Sequence, residues 1–380
     1  MEKKTIRVGL IGMGFIGKVH AQAYRSLPFC YPDAGVRAEI AAILRTGTGR
    51  DEEFIASLGD PLVTTDASAF YGAGLDMVDI CTPNFLHLEQ AQVAAANGCH
   101  MYIEKPLGLN LAHARQMAAT AKEKKVLTHT AFMKRYYPAV WQAKAIIESG
   151  MIGEITNFNV HYYHNSYMDP LRPITWRLKQ EPSGGGALAD LGVHIIDMTR
   201  YMLGEADWVR CHTRTFIKER PVEKGSDHMD SVDVDDWALC IAGMQNGAVG
   251  TIETTRMSGG MGDSNRMEIF GSEGSVVIDL KDPLHCRYYD RKTQQERTGE
   301  LNLDLVAGYR DTRKLWPPAK MSLGSFMDAH SACILDFLQC IQQGRQSMTN
   351  FDDAVRSQEI LEAAYRSAQQ DAEMIRLPLE

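Results

Sequence analysis

Apolar residues in the first third of the chain gather in short runs, separated by stretches where they recur every three or four positions. The runs are Ile6–Ile11, Glu39–Leu44, Leu75–Cys81, His100–Glu104 and Val126–Ala131. Their length and bounding turn residues predict buried strands. Helical periodicity falls between them, over Ile16–Leu27, Leu86–Asn97 and an Ala-rich stretch from Asn110 to Lys125, with Gly98 placed as a C-cap. Strand and helix in alternation predict a doubly wound α/β unit around a parallel sheet.

Beyond residue 130 the pattern changes. Tyr136–Glu148 is helical and Ile155–Tyr163 alternates as a strand. An irregular segment holding Pro170, Pro173 and Pro182 precedes a helix over Ala187–Leu203. The runs 208–217, 236–243, 247–256, 266–270 and 275–280 have the length and alternation of antiparallel strands joined by Gly-containing turns. Helices over Ser325–Gly344 and Asp352–Gln370 follow. The prediction is a doubly wound α/β domain over 1–129 and an α+β domain over 130–380 dominated by one large, mostly antiparallel sheet. A length of 380 residues suits two domains.

Composition changes little in this picture. Apolar content of 44% and charged content of 23% are those of a soluble globular protein. A net charge of −8 argues against nucleic acid or an anionic membrane as partner. No window approaches a membrane span, and the apolar stretch after Met1–Thr5 is too short for a secretory leader. The eight cysteines are scattered without a C-x-x-C pair, which fits reduced thiols and a cytoplasmic location. Five aspartates between Asp227 and Asp236 read as a solvated loop rather than a metal cage. His161 and His164, three apart on a strand, would point to opposite faces, and no metal is expected.

Gly12-x-Gly14-x-x-Gly17 follows the first strand and opens the first helix, the context a dinucleotide fingerprint requires. Gly12 permits the tight turn, Gly14 lets a diphosphate approach the backbone, and Gly17 lets helix and strand pack closely. Phe15 and Ile16 belong to the same turn. The second strand ends at Arg45-Thr46-Gly47-Thr48-Gly49-Arg50, without the carboxylate that would bind an NAD ribose. Arg45 and Thr46 suit a 2′-phosphate, so this reading favours NADP over NAD, with both open.

Lys105, between Glu104 and Pro106, lies at the C-terminal end of a predicted parallel strand, the edge where open α/β sheets bind ligands. On the 187–203 helix Asp190, His194, Asp197 and Tyr201 share one stripe. An aspartate one turn before a histidine can orient the imidazole for acid–base work. Gly184-Gly185-Gly186 ahead of it predicts a close backbone approach, to a ligand or cofactor edge. A surface lysine and a surface Asp–His pair are the plain alternatives.

The glycine turn, Thr82-Pro83-Asn84-Phe85-Leu86-His87, Glu104-Lys105-Pro106 and the run from Gly185 to Asp197 together resemble the Gfo/Idh/MocA family, nearly end to end. The resemblance implies a Rossmann domain, an α/β domain whose sheet makes homodimer or homotetramer contacts, and hydride transfer between NAD(P) and a carbinol carbon of a sugar, anhydrosugar or cyclitol. It implies that Lys105 polarises the reacting oxygen, that His194 is the general acid/base, and that Asp190 orients His194. Thr82, Pro83, Asn84 and His87 would line the nicotinamide side, and Glu104 would help set Lys105. The stretch from Tyr167 to Arg177 is similar to the levoglucosan dehydrogenase branch. There Trp176 would stack on a sugar ring, and Arg177, Tyr163 and Arg135 would bond hydroxyls, against core packing for Trp176 and an ion pair for Arg135. A glycosidase using transient redox chemistry and an inactive nucleotide-sensing regulator are the competing functions.

Overall fold

The computed structural model describes residues 5–47, 51–299 and 312–380. Thr48, Gly49 and Arg50 lie outside the described residues. The chain forms two compact units. The first takes in Met1–Gly108, Ala112–Tyr136 and Lys314–Val355, and the second takes in Leu109–Leu111, Tyr137–Arg313 and Arg356–Glu380. The first unit runs past residue 129 to Tyr136 and also takes in a segment from far down the chain.

The first unit is built on six parallel strands: β1 Thr5–Ile11, β2 Arg37–Leu44, β3 Leu62–Thr64, β4 Met77–Ile80, β5 His100–Ile103 and β6 Thr128–Thr130. Their order is β3-β2-β1-β4-β5-β6. The order reverses between β1 and β4, the switch point beside which doubly wound sheets bind ligands. The four residues of β4 are all buried, as strands covered on both faces must be. The Phe15–Cys30 helix packs against the Ser325–Gln343 helix through Phe15 on Phe326 and His20 on His330, with ring centroids 6.5 and 5.2 Å apart. Ala329, Ala332, Cys333, Phe337 and Leu338 bury that second helix's apolar face.

The second unit carries a nine-stranded sheet. Its strands are β7 Ile155–Tyr163, β8 Ala206–Arg214, β11 Trp237–Met244, β12 Val249–Thr255, β13 Ser264–Gly271, β14 Gly274–Asp279, β15 Arg287–Asp290, β16 Gln295–Thr298 and β17 Ile375–Arg376. β9 Glu219–Pro221 and β10 Met229–Ser231 form a separate ribbon. The order is β16-β15-β14-β13-β7-β12-β11-β8-β17, antiparallel except where β7 and β12 run parallel. Phe158, Val160 and Tyr162 are buried on one face of β7, while Asn157, Asn159, His161 and Tyr163 take the open face. The helices Pro138–Glu148 and Val193–Leu203 lie against the sheet, on β14 and β7.

Candidate active site

In the first unit the glycine turn joins β1 to the Phe15–Cys30 helix. Gly12 has φ +92°, which favours glycine. A Cβ on Gly17 would stand 2.1 Å from the Gly12 carbonyl oxygen, so this position packs helix on turn. A Cβ on Gly14 would meet nothing within 4 Å, leaving its backbone open to a diphosphate. These residues therefore fit a dinucleotide. Phe15 is 77% exposed beside Gly14, and Ile16 is half-buried. At the end of β2, Arg45 is half-buried with its backbone N–H on Thr64 O, and Thr46 is exposed.

The loops after β4 and β5 lie on the same carboxyl edge. Thr82 donates to Gln90 Oε1 at 2.6 Å, and Pro83 precedes a 3₁₀ turn over Asn84–Leu86. His87 is fully buried, with Nδ1 3.1 Å from Pro106 O and Nε2 3.1 Å from Thr82 O. It pins the two loops together. Burial pushes its pKa below the usual histidine range despite those carbonyls. Glu104 is buried, Lys105 is half-buried, and the Lys105–Pro106 bond is cis. Burial pushes the Glu104 carboxyl upward, but the close contact with the His20 charge and the Lys105 ammonium prevail and hold it low.

In the second unit the Asp190 region differs from a plain helix. Leu188–Gly192 is π-helical, and the α-helix begins only at Val193. Asp190 and His194 are thus separated by a wider turn than i,i+4 spacing assumes, a distortion common at functional sites. Asp190 Oδ2 accepts from Arg256 Nη2 at 3.0 Å. His194 is buried and meets Tyr162 edge-on, with centroids 6.2 Å apart. Asp197 is buried and accepts from Ser357 Oγ at 3.3 Å, and the Lys144 ammonium lies over the Tyr201 ring.

The three glycines before this segment approach protein rather than a ligand edge. Cβ atoms at Gly184, Gly185 and Gly186 would meet Leu109 O, the Tyr365 hydroxyl and Asp235 O at 2.6, 2.1 and 2.0 Å. Asp235 holds this backbone: its carboxylate accepts from Gly186 N at 2.9 Å, Leu188 N at 2.8 Å and Tyr365 Oη at 2.8 Å. Asp235 and Asp236 are buried, so the aspartate run is not a solvated loop throughout. Arg256, Asp235 and Tyr365 were all missed. Only the Asp–Asp pair ahead of a strand offered a signal.

The predicted substrate contacts divide. Tyr163 lies on the open sheet face, stacked on His161 at 4.1 Å and donating to Glu253, whereas its neighbour Tyr162 faces His194. Period-two alternation therefore removes Tyr163 from the His194 side. The Arg135 guanidinium is buried and paired with Asp353 at 2.7 Å, the ion-pair alternative. Arg177 lies 4.4 Å over the Trp176 ring, which is half-buried. Two buried groups could offer metal ligands among the described residues, His20–Glu104–His330 and His20–Asp79–Cys81.

A parallel sheet with an open glycine turn at its switch point defines a Rossmann dinucleotide-binding fold, with Lys105 at the same edge. Residues 6–132 match the model of the oxidoreductase family with an NAD-binding Rossmann fold, and 140–277 match the GFO/IDH/MocA C-terminal domain. The chain belongs to the GFO/IDH/MocA family, and it is an NAD-binding oxidoreductase. Levoglucosan dehydrogenase of Pseudarthrobacter phenanthrenivorans is 32% identical over 385 residues, with 97% of each chain covered. The scyllo-inositol 2-dehydrogenase (NAD(+)) of Bacillus subtilis is 28% identical, covering 95% of this chain and 94% of that one. A solved structure of levoglucosan dehydrogenase with NADH and levoglucosan matches at TM-score 0.89 and 32% identity, covering 99% of this chain and 100% of the other.

Proposed function

We propose that the protein transfers a hydride between NAD(H) and a CH–OH carbon of a sugar, anhydrosugar or cyclitol. The observation that carries this reading is Lys105, which follows β5 at the same carboxyl edge as the open Gly14 backbone and directly follows a buried, ionised Glu104. The bound nicotinamide supplies the hydride acceptor or donor. Lys105 hydrogen-bonds the reacting oxygen and favours its developing negative charge. His194 takes the hydroxyl proton in oxidation and returns it in reduction, a contribution typically worth ~10²–10⁴-fold. Asp190 orients His194, and Arg256 holds Asp190.

The same class of substrate is supported by the named activities of the relatives and by Trp176, an aromatic face suited to a sugar ring. NADP acceptance is part of the proposal, supported by Arg45 and by the lack of a carboxylate at the end of β2. Association into a homodimer or homotetramer through the open sheet face is supported by Ile241 and Val249, each more than 40% exposed on it. A cytoplasmic location fits eight buried, free cysteines. No described helix is long and apolar enough to cross a membrane.

The test is a screen of sugars, anhydrosugars and inositols with NAD and NADP, followed at the reduced-nicotinamide absorbance. Turnover is expected with at least one polyhydroxylated ring. An enzyme with no turnover on any of them, yet active on an imine or enone, would overturn the substrate class.

A further inference from the structure

His20 projects from the helix that the glycine turn opens, into a pocket of charge behind Lys105. It is fully buried. Its Nδ1 lies 3.1 Å from each carboxylate oxygen of Asp79 and 3.1 Å from Cys81 Sγ. Its Nε2 lies 3.2 Å from Glu104 Oε1, an ion-pair contact rather than a straight hydrogen bond. Tyr24 Oη donates to Asp79 at 3.0 Å, and Glu104 Oε2 accepts from the Lys105 backbone N–H at 3.3 Å. The result is a continuous chain of contacts, Tyr24–Asp79–His20–Glu104–Lys105.

The charges decide what the chain does. Two buried carboxylates without a cation between them would be strongly destabilising. The groups around His20 and its partner Asp79 are Tyr24 on the His20 helix, Asp79 and Cys81 from β4 and the residue after it, Tyr102 and Glu104 from β5 and the residue after it, and His330 and Cys333 from the 325–343 helix. Burial pushes both phenols and both thiols upward, so they stay neutral. Burial and the nearby His20 charge push His330 down to about 3, so it is neutral too. Burial alone would strip His20 of its proton, but the charge and hydrogen bond of Asp79 outweigh that and raise it well above the usual value. Imidazolium and ammonium then balance the two carboxylates.

We propose that His20 is a positioning residue for Lys105: its imidazolium keeps Glu104 ionised and seated, and Glu104 fixes the segment that presents the lysine. This inference rests on the reading of Lys105 as the residue that polarises the reacting oxygen. A displacement of a reacting group by about an ångström can cost ~10²-fold in rate, so loss of the chain should be read in kcat.

The experiment compares wild type, His20→Gln, Glu104→Gln and the double variant in the reducing direction. There His194 acts as the acid and contributes only an alkaline limb, so an acidic limb reports Glu104. His20→Gln is expected to lower kcat about tenfold or more, to leave NADH affinity within about twofold, and to move the acidic limb of the kcat–pH profile upward. Glu104→Gln is expected to abolish that limb, and the double variant to lose no more than Glu104→Gln alone. Wild-type kcat and pH profile in His20→Gln would overturn the proposal. If His20→Gln does not fold, an acidic limb persisting in Glu104→Gln overturns it equally. A stoichiometric metal ion in the purified protein that is lost in His330→Ala would also overturn it, making the cluster a metal site. Lys105→Ala separates the two levels: full activity there defeats the reading of the site, whereas an inactive Lys105→Ala beside an unaffected His20→Gln defeats only this inference.

Discussion

Arg256 Nη2 bonds both Asp190 Oδ2, at 3.0 Å, and the Gly186 carbonyl, at 3.1 Å, from a side chain that is 1% exposed. One buried cation therefore ties the Asp190 carboxylate to the backbone of the glycine run. Replacing Arg256 with Met should lower the unfolding free energy by roughly 3 kcal/mol, the low end for breaking a buried pair, because Asp190 keeps part of its side chain in water. kcat should fall with it, because in the proposed mechanism Asp190 orients His194. Denaturant titration and turnover at one temperature check both, and an unchanged kcat in a folded variant contradicts the assignment.

Gly14 and Gly17 separate binding from folding. Gly14→Ala adds a methyl group that meets no protein atom within 4 Å, so apo stability should stay within ~0.5 kcal/mol while the Kd for NAD rises at least tenfold. Gly17→Ala drives a Cβ to 2.1 Å from a backbone carbonyl and should cost about 2 kcal/mol of stability itself. Denaturant titration of the apo proteins and fluorescence titration with NADH distinguish the outcomes. Equal binding losses with equal destabilisation would remove the proposed roles.

Much of this was legible in the chain. The β1 turn and the β5 edge are local signals that lie where their pattern put them, whereas the Asp190–His194 stretch reads as a plain helix in sequence and carries a π-helical turn over Leu188–Gly192 in the structure. What was not legible depends on partners distant in sequence. Nothing within 325–343 says that its apolar face covers the Phe15–Cys30 helix, and nothing beside Asp190 announces Arg256. β3, β15, β16 and β17 are two to four residues long, too short for periodicity to mark. Tyr163 illustrates the limit best: alternation shows that it and Tyr162 face opposite ways, but only the helix seated on the sheet decides which one meets His194. Tyr163→Phe should accordingly keep kcat/KM within about twofold. A tenfold loss without a change in assembly state would return it to the site.

Stability should depend on pH through His20 and Glu104. The folded pKa of His20 is raised above 6.5, so its contribution is fully present below pH 6.5 and is lost as pH rises through the folded value. The folded pKa of Glu104 is held below 4.5, so its contribution is present above pH 4.5 and is lost as pH falls through its folded value. Denaturant titrations across pH should show wild-type stability declining on the alkaline side, with that slope reduced in His20→Gln. An unchanged slope would mean that His20 is not charged in the folded protein.

The most direct measurement is single-turnover reduction of NAD by Lys105→Ala at saturating substrate, with NADH binding measured on the same preparation. The expected result is dinucleotide affinity near wild type and a hydride-transfer rate lower by ~10²-fold or more, as for loss of an oxyanion donor. Wild-type transfer by a folded, NADH-binding Lys105→Ala protein would contradict the account.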